Sequence, residues 1–436
     1  MSGTSFEHGR SPAALRCALI GDEPLVIQCA QLAAAAGLTV TLIATDDPWV
    51  AAEAAAAGTP VVTPGAGLAD ALRAAEVDVL FSVANLRILP AEVLDAVRLA
   101  VNFHDGPLPS YAGMHVTTWA LLAGETEHGV TWHVMTQDVD GGAILAEERF
   151  AIAPDETAYS LNARCFEAAL RSFPAVAAAI AAGPPSTRPQ APGELRMFGR
   201  HLRPGSRSLV DPRRPAPELV RVGRALDLGD RTPNRIGRSR LVSPNGAWLL
   251  AGVDVDNAVL GEGDVRAVDG ALLIGAAGGT LRAVHLTELD GAPAAAEAVA
   301  ARIGTRLAPP DPALVETLDT TDAELSKAEA AWSRRLADLP QPLGPELGDG
   351  SGWDEVAVAH LPGVDLALAA AVTATWAARL GGATSAAVGV VDGPTGARLA
   401  ALAPLAAPPV VTVTPTTESD QRVVADEVAA AVARGP

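Results

Sequence analysis

Short apolar runs and stretches of helical spacing alternate through the first 185 residues. Leu15–Ile20 is an apolar run that stops at Gly21, and Leu25–Ala36 has helical spacing and stops at Gly37. Leu38–Ala44 is rich in β-branched residues, Trp49–Ala57 is helical up to Gly58, and Val61–Val62 is a short strand followed by a helix over Ala69–Ala75. Val77–Val83 predicts a further strand, Pro90–Leu99 a helix that begins on its proline, and Val101–Phe103 another strand. Val116–Ala123 reads as a helix ended by Gly124, Gly129–Met135 as a strand, and Thr157–Ala182 as a long helix capped by Thr157 or Asp155 and disturbed at Pro174. Strand and helix alternating at this spacing predict an α/β unit built on a mostly parallel, helix-covered sheet.

The pattern then changes. Gly183-Pro184-Pro185 closes a catalytic unit over 13–185, and the Pro-, Gly- and Arg-rich stretch 186–214 reads as a linker. Residues 215–300 predict a small module: an amphipathic helix over Pro215–Leu226, then short apolar runs separated by Asn-Gly, Gly-Glu-Gly-Asp and Gly-Gly. Such runs suit antiparallel strands. Residues 321–436 form a third, C-terminal α/β segment with strands over Ala386–Val391 and Val410–Val413. Residues 1–12 are polar and read as a disordered leader without the basic-then-apolar order of a signal peptide.

Composition narrows the classes. The formal charge of -19 repels phosphate backbones, which argues against nucleic acid as a partner. The Ala-rich stretches are too short or too interrupted to span a bilayer, so no membrane is expected. The three cysteines, Cys17, Cys29 and Cys165, form no CxxC pair; a reducing cytoplasm is the simpler setting. Clusters of His and Cys at metal spacing, GxSxG and a P-loop are all missing from the sequence, and no metal is expected. Gly21-Asp22-Glu23-Pro24 is not GxGxxG, so a nicotinamide site lacks its glycines, although Asp46-Asp47 after a strand is what one would need.

The candidate chemistry lies between residues 101 and 145. Asn102 and His104 stand at i and i+2 of a probable strand and therefore face one side. The plainer alternative is a strand-end Asn and a surface His. Asp138-Val139-Asp140-Gly141-Gly142 places two acids before two glycines, which suits a tight loop; the plainer alternative is a solvated turn. Together they supply an amide, an imidazole and a carboxylate. A carboxylate beside an imidazole favours the cation and fixes its tautomer. Such a set can stabilise charge on an acyl oxygen and relay a proton. His133 faces the same way as Thr131 and Met135 on a regular strand, and is as readily structural as site-lining.

Three blocks in order carry a resemblance: Asn102-Phe-His104, Leu108-Pro-Ser-Tyr-Ala-Gly113, and Asp140-Gly-Gly-Ala-Ile-Leu145. Over roughly residues 13–182 the chain resembles the folate-dependent formyltransferases, the methionyl-tRNA and glycinamide ribonucleotide enzymes and their relatives. The resemblance implies their Rossmann-like fold, Asn102, His104 and Asp140 as the catalytic set, and 10-formyltetrahydrofolate as the formyl donor. It also implies that Arg87, Ile88 and Leu89 form the pterin-binding strand end, and that Thr136, Gln137 and Val139 form the loop closing over the pterin.

One departure bears on the acceptor. The family's usual Ser-Leu-Leu-Pro loop reads Asp105-Gly106-Pro107-Leu108-Pro109 here. This loop, the run Ile20–Ala30 and the run Arg224–Gly229 resemble formyltransferase domains fused to nonribosomal peptide synthetases. Glu329–Pro340 and Ala370–Val391 resemble segments of condensation domains, without the His-His-x-x-x-Asp-Gly motif. The expected acceptor is the amine of an amino acid, free or tethered to a carrier protein, with adenylation or carrier domains as partners. The alternatives are an amino-sugar nucleotide as acceptor, a hydride-transferring enzyme, and a non-catalytic module that docks a synthetase.

Overall fold

The computed structural model describes residues 14–191, 195–229, 234–289, 291–320, 326–327, 386–389 and 410–413. The chain divides into two compact units, residues 1–200 with 220–236, and residues 201–219 with 237–436.

The first unit begins with strand and helix in alternation: β1 (Arg16–Ile20), α1 (Leu25–Ala35), β2 (Thr39–Ala44), α2 (Pro48–Ala56), β3 (Val61–Val62), α3 (Leu68–Ala74) and β4 (Val79–Ser82). Next come α4 (Ala91–Leu94), β5 (Leu99–His104), β6 (Ala112–Gly113), α5 (Val116–Ala123), β7 (Glu127–Val134), β8 (Ile144–Ala151), α6 (Ala158–Ala181) and β9 (Met197–Phe198). The sheet has seven strands in the order β3-β2-β1-β4-β5-β7-β8. Strands β1 to β5 pair in parallel, whereas β7 and β8 join antiparallel. The expected mostly parallel sheet is therefore present, with two antiparallel strands at one edge.

Alternation along β1 shows how the sheet is covered. Cys17 and Leu19 pack on one face against α1 and α6, through Val26, Cys29, Ala169 and Phe173. Ala18 and Ile20 pack on the other face against α3 and α4, through Leu68, Leu72 and Val93. A strand buried on both faces reads as a continuous apolar run, which is how the sequence writes it. All three cysteines are buried. Burial pushes the Cys17 and Cys29 thiols up to about 12, so they act as small core residues.

Caps fix the helix ends. Asp47 accepts a hydrogen bond from Val50 N at 2.8 Å, and Pro48 supplies the first helical position of α2. Thr157 and Ser160 close a capping box at the start of α6, which contains Pro174. Two elements depart from the sequence pattern. The helix expected over Pro90–Leu99 stops at Leu94, because Arg98 N and Leu99 N bond to Asp78 O and the sheet claims that backbone. Strand β8 was hidden by its charges; Glu147, Glu148 and Arg149 pair with Arg188, Arg171 and Glu127 along an edge.

α7 (Ala216–Ala225) carries the division between the units at Leu219 and Val220. The second unit contains a five-stranded antiparallel sheet in the order β10-β11-β14-β13-β12. These strands are β10 (Ser239–Ser243), β11 (Gly246–Asp256), β12 (Val265–Val268), β13 (Ala271–Ala276) and β14 (Gly279–Glu288), and α8 (Ala296–Ile303) follows. Farther on, β15 (Ala386–Gly389) pairs antiparallel with β16 (Val410–Val413). The leader over 1–12 and the expected 321–436 segment, apart from residues 326–327, 386–389 and 410–413, lie outside the described residues. Among the described residues no helix is long and apolar enough to cross a membrane.

The first core offers a direct test. Phe173 is fully buried, edge-on to Phe81 at 5.0 Å and tilted on Trp132 at 4.9 Å. Phe173→Ala should remove about 3–5 kcal/mol of stability, measured by urea denaturation; a loss below about 1 kcal/mol would contradict this packing.

Candidate functional site

Asn102 and His104 lie where the helix cover of one sheet face runs out. Ala100, on the same face, still packs in the cluster of α3 and α4. Two and four residues farther along β5 the face turns polar, because alternate residues of a strand share a side. Antiparallel pairing then sets Asn102 opposite His133 and His104 opposite Thr131.

The side chains converge. His104 Nε2 lies 2.6 Å from Tyr111 O. A carbonyl only accepts, so Nε2 carries a hydrogen, and Nδ1 is the nitrogen that gains or loses a proton. Nδ1 faces two carboxylates, Asp140 Oδ2 at 3.7 Å and Asp105 Oδ1 at 3.8 Å. His133 Nδ1 donates to Val134 O at 3.0 Å, which leaves its Nε2 between Asn102 Nδ2 at 3.2 Å and Asp140 Oδ1 at 3.5 Å. A neutral His133 accepts from Asn102; a protonated one donates to Asp140. The orientation of the Asn102 amide is thereby tied to the proton on His133.

Asp140 is the centre of the group. It is 9% exposed and its carboxylate accepts a hydrogen bond from Gly113 N at 2.8 Å. Burial pushes its carboxyl up, but the His133 hydrogen bond, the His104 charge and the Gly113 amide pull it down and prevail. It is therefore held below the ordinary carboxylate range. Gly113 reaches Asp140 because β6 pairs in parallel with β9, which fixes that backbone from the far end of the unit.

A buried frame holds the loop under His104. Thr131 donates to Gly106 O at 2.8 Å and accepts from Leu108 N at 3.1 Å. His128 Nε2 donates to Asp105 O at 2.8 Å, and burial, the largest influence on this ring, lowers its basicity. Gly106 is required by closeness, since a Cβ there would stand 2.6 Å from Tyr111 O.

The residues expected to bind a cofactor divide between two clefts. Thr136 and Gln137 line a cleft of about 230 Å³ with Leu94, Val97, Ala100 and Met135. Arg87, Ile88 and Leu89 line a second, of about 180 Å³, with Gly65 and Val93. Val139 is 44% exposed and lines neither. The Arg87 guanidinium is committed to Asp22 and Asp46, at 2.5 and 2.7 Å. Thr136 Oγ1 donates to Asp138 O and accepts from Asp138 N, so its hydroxyl shapes the loop itself. The larger cleft falls below the roughly 300–1,000 Å³ of drug-sized sites.

The formyl transferase family profile matches residues 30–177. Over that stretch the chain resembles a formyl transferase domain. Solved structures share its fold. WlaRD, a sugar 3N-formyl transferase crystallised with dTDP and 5-N-formyl-THF, is 17% identical, with a TM-score of 0.50 over 62% of this chain and 97% of that one. HypX from Aquifex aeolicus is 18% identical, with a TM-score of 0.51 over 69% of this chain and 50% of that one. This chain thus spans about half the length of HypX. At such identities the likeness speaks to the fold of the formyl transferase domain alone.

Asn102, His104 and Asp140, singled out from the sequence, do come together in this domain. The sequence undervalued His133, whose ring bridges Asn102 and Asp140; its opposition to Asn102 follows only from the antiparallel register. Gly113 and the Tyr111 carbonyl act through backbone atoms, which no residue pattern reveals.

The depressed Asp140 carboxyl has a signed consequence. The native state binds this proton less readily than the unfolded chain, whose value is about 3.9. Ionised Asp140 therefore contributes stability above that pH, and the contribution is lost as pH falls through the lower native value. The stability gap between wild type and Asp140→Asn should shrink as pH falls below about 4, where Asp140 takes up its proton. Urea denaturation at each pH measures it, and a gap that stays flat would disconnect Asp140 from acid stability.

Proposed function

We propose that this domain transfers a formyl group from 10-formyltetrahydrofolate to an amine. The observation that carries the reading is the convergence of Asn102, His104 and His133 on the buried Asp140 carboxylate. The matched family and the cleft of about 230 Å³ lined by Thr136 and Gln137 support it. Bound there, the folate supplies a formyl carbon on N10, already activated toward attack.

Each side chain then has a task. Asn102 Nδ2, beside His133 Nε2, offers a hydrogen to the formyl oxygen. His104, fixed by Tyr111 O, presents a protonated Nδ1 to charge developing on that oxygen. Asp140, 3.7 Å from that Nδ1, accepts the proton shed by the attacking amine. The amine nitrogen bonds to the formyl carbon, the bond from that carbon to N10 breaks, and the amine proton ends on N10 by way of Asp140 and water. No covalent link to the protein is formed.

The acceptor we propose is the amine of an amino acid, free or on a carrier protein, as the His104–Pro109 loop implies through its likeness to synthetase-associated domains. Adenylation and carrier domains are the corresponding partners, and the setting is cytoplasmic. A second reading, an amino-sugar nucleotide acceptor, is favoured by the shared fold with WlaRD.

Incubation with 10-formyltetrahydrofolate and a panel of amines, following tetrahydrofolate release and product mass, tests all of this. Asn102→Ala should lower kcat about 10²–10³-fold, as loss of one oxyanion donor does. His104→Ala should lower it about 10²–10⁴-fold, as loss of an acid–base group does. No release with any amine would overturn the reading, and release with only aminosugar nucleotides would decide for the second acceptor.

A further inference from the structure

We propose that Gln190 is a positioning residue that holds Asp140 in its working orientation; this rests on the formyl-transfer reading above. Gln190 belongs to a stretch whose sequence reads as linker, and its side chain reaches back into the site. Gln190 Nε2 lies 2.6 Å from Asp140 O and 2.7 Å from Gly142 O. Two carbonyls around one atom identify it as the NH2 group, with both hydrogens spent on the loop. The companion Oε1 is buried with no hydrogen-bond partner among the described groups. A side chain that merely filled space would not carry that penalty.

The loop needs such a hold. Asp140 has φ +54°, the left-handed region that a non-glycine residue seldom occupies. Gly142, the second anchor, packs so tightly that a Cβ would stand 1.8 Å from Val134 O. Gln190 is itself anchored two residues away, where Arg188 N and O exchange hydrogen bonds with Ile144 O and N at 2.8 and 2.7 Å. The amide thus ties a paired segment to the peptide that follows Asp140, whose carboxylate faces Gly113 N, His104 and His133.

The test combines a mutant cycle with amide exchange on the full chain. Gln190→Leu keeps the side chain's bulk and removes its donors; Gln190→Met replaces it if the first variant does not fold. Either should lower kcat by about 10–100-fold, since misplacing a catalytic group by about 1 Å can cost about 10²-fold, with the Kd for tetrahydrofolate within about twofold. In an Asp140→Asn background the same change should cost less than about twofold, because it acts through that carboxylate. Independently of activity, exchange of the Gly113 amide should quicken about tenfold or more while Val134 N, bonded to Ala143 O, is unaffected. An equal cost in both backgrounds, or unchanged Gly113 exchange, overturns the proposal. If wild type transfers no formyl group, the functional reading fails and the exchange result alone decides the role of Gln190.

Discussion

A single buried carboxylate organises the first unit. Taking Asp140 out of water is unfavourable unless polar partners replace the lost hydration. The partners come from three directions: the Gly113 amide from β6, His104 from β5, and His133 from β7. None is near Asp140 in sequence except His133, seven positions earlier. The antiparallel turn from β5 to β7, the short ladder of β6 on β9 and the return of the loop after β7 are therefore one requirement met by three pieces of chain. A change that loosens any of them leaves a charged group without compensation, so the site and the local stability are coupled.

Around that centre the polar groups are buried in a graded order. Thr131 and His128 fasten carbonyls of the loop that follows His104, and neither belongs to the converging set. They are interior residues because their partners are backbone atoms that would otherwise be stranded in the core. Cys165 also points at Asp105 O, at 3.6 Å, and burial raises its thiol well above the ordinary range. It is part of the packing, not a nucleophile. Precision at His104 thus comes from strands and helices on both sides of the sheet.

What the sequence disclosed, it disclosed through periodicity. The two-residue period put Asn102 and His104 on one face, and β1 and β4 were legible because strands buried on both faces are unbroken apolar runs. Glycines marked the helix ends at Gly37, Gly58 and Gly124. The features that escaped reading depend on distant partners. β8 carries charges satisfied across an edge, and the helix after Pro90 is cut short by bonds to Asp78, twenty residues earlier. Arg87 showed a different limit. Its residue type signalled a contact, but only the fold reveals that Asp22 and Asp46 hold it.

That ion pair also bears on the dinucleotide alternative. In an open α/β sheet the crevice for ligands lies beyond the strand ends where the order reverses, here between β1 and β4. Those two ends are drawn together: Val83 N bonds to Ile20 O at 2.9 Å, and a Cβ on Gly21 would stand 2.0 Å from Val83 O. Arg87 then spans the mouth from Asp22, after β1, to Asp46, after β2. Asp46 is the acid that would hold a ribose in a nicotinamide site, and it is already engaged. With that crevice bridged, the polar side chains of the sheet gather beyond β4, on β5 and β7. On this sheet the buried carboxylate and its two imidazoles lie toward the antiparallel edge, beyond the reversal of strand order.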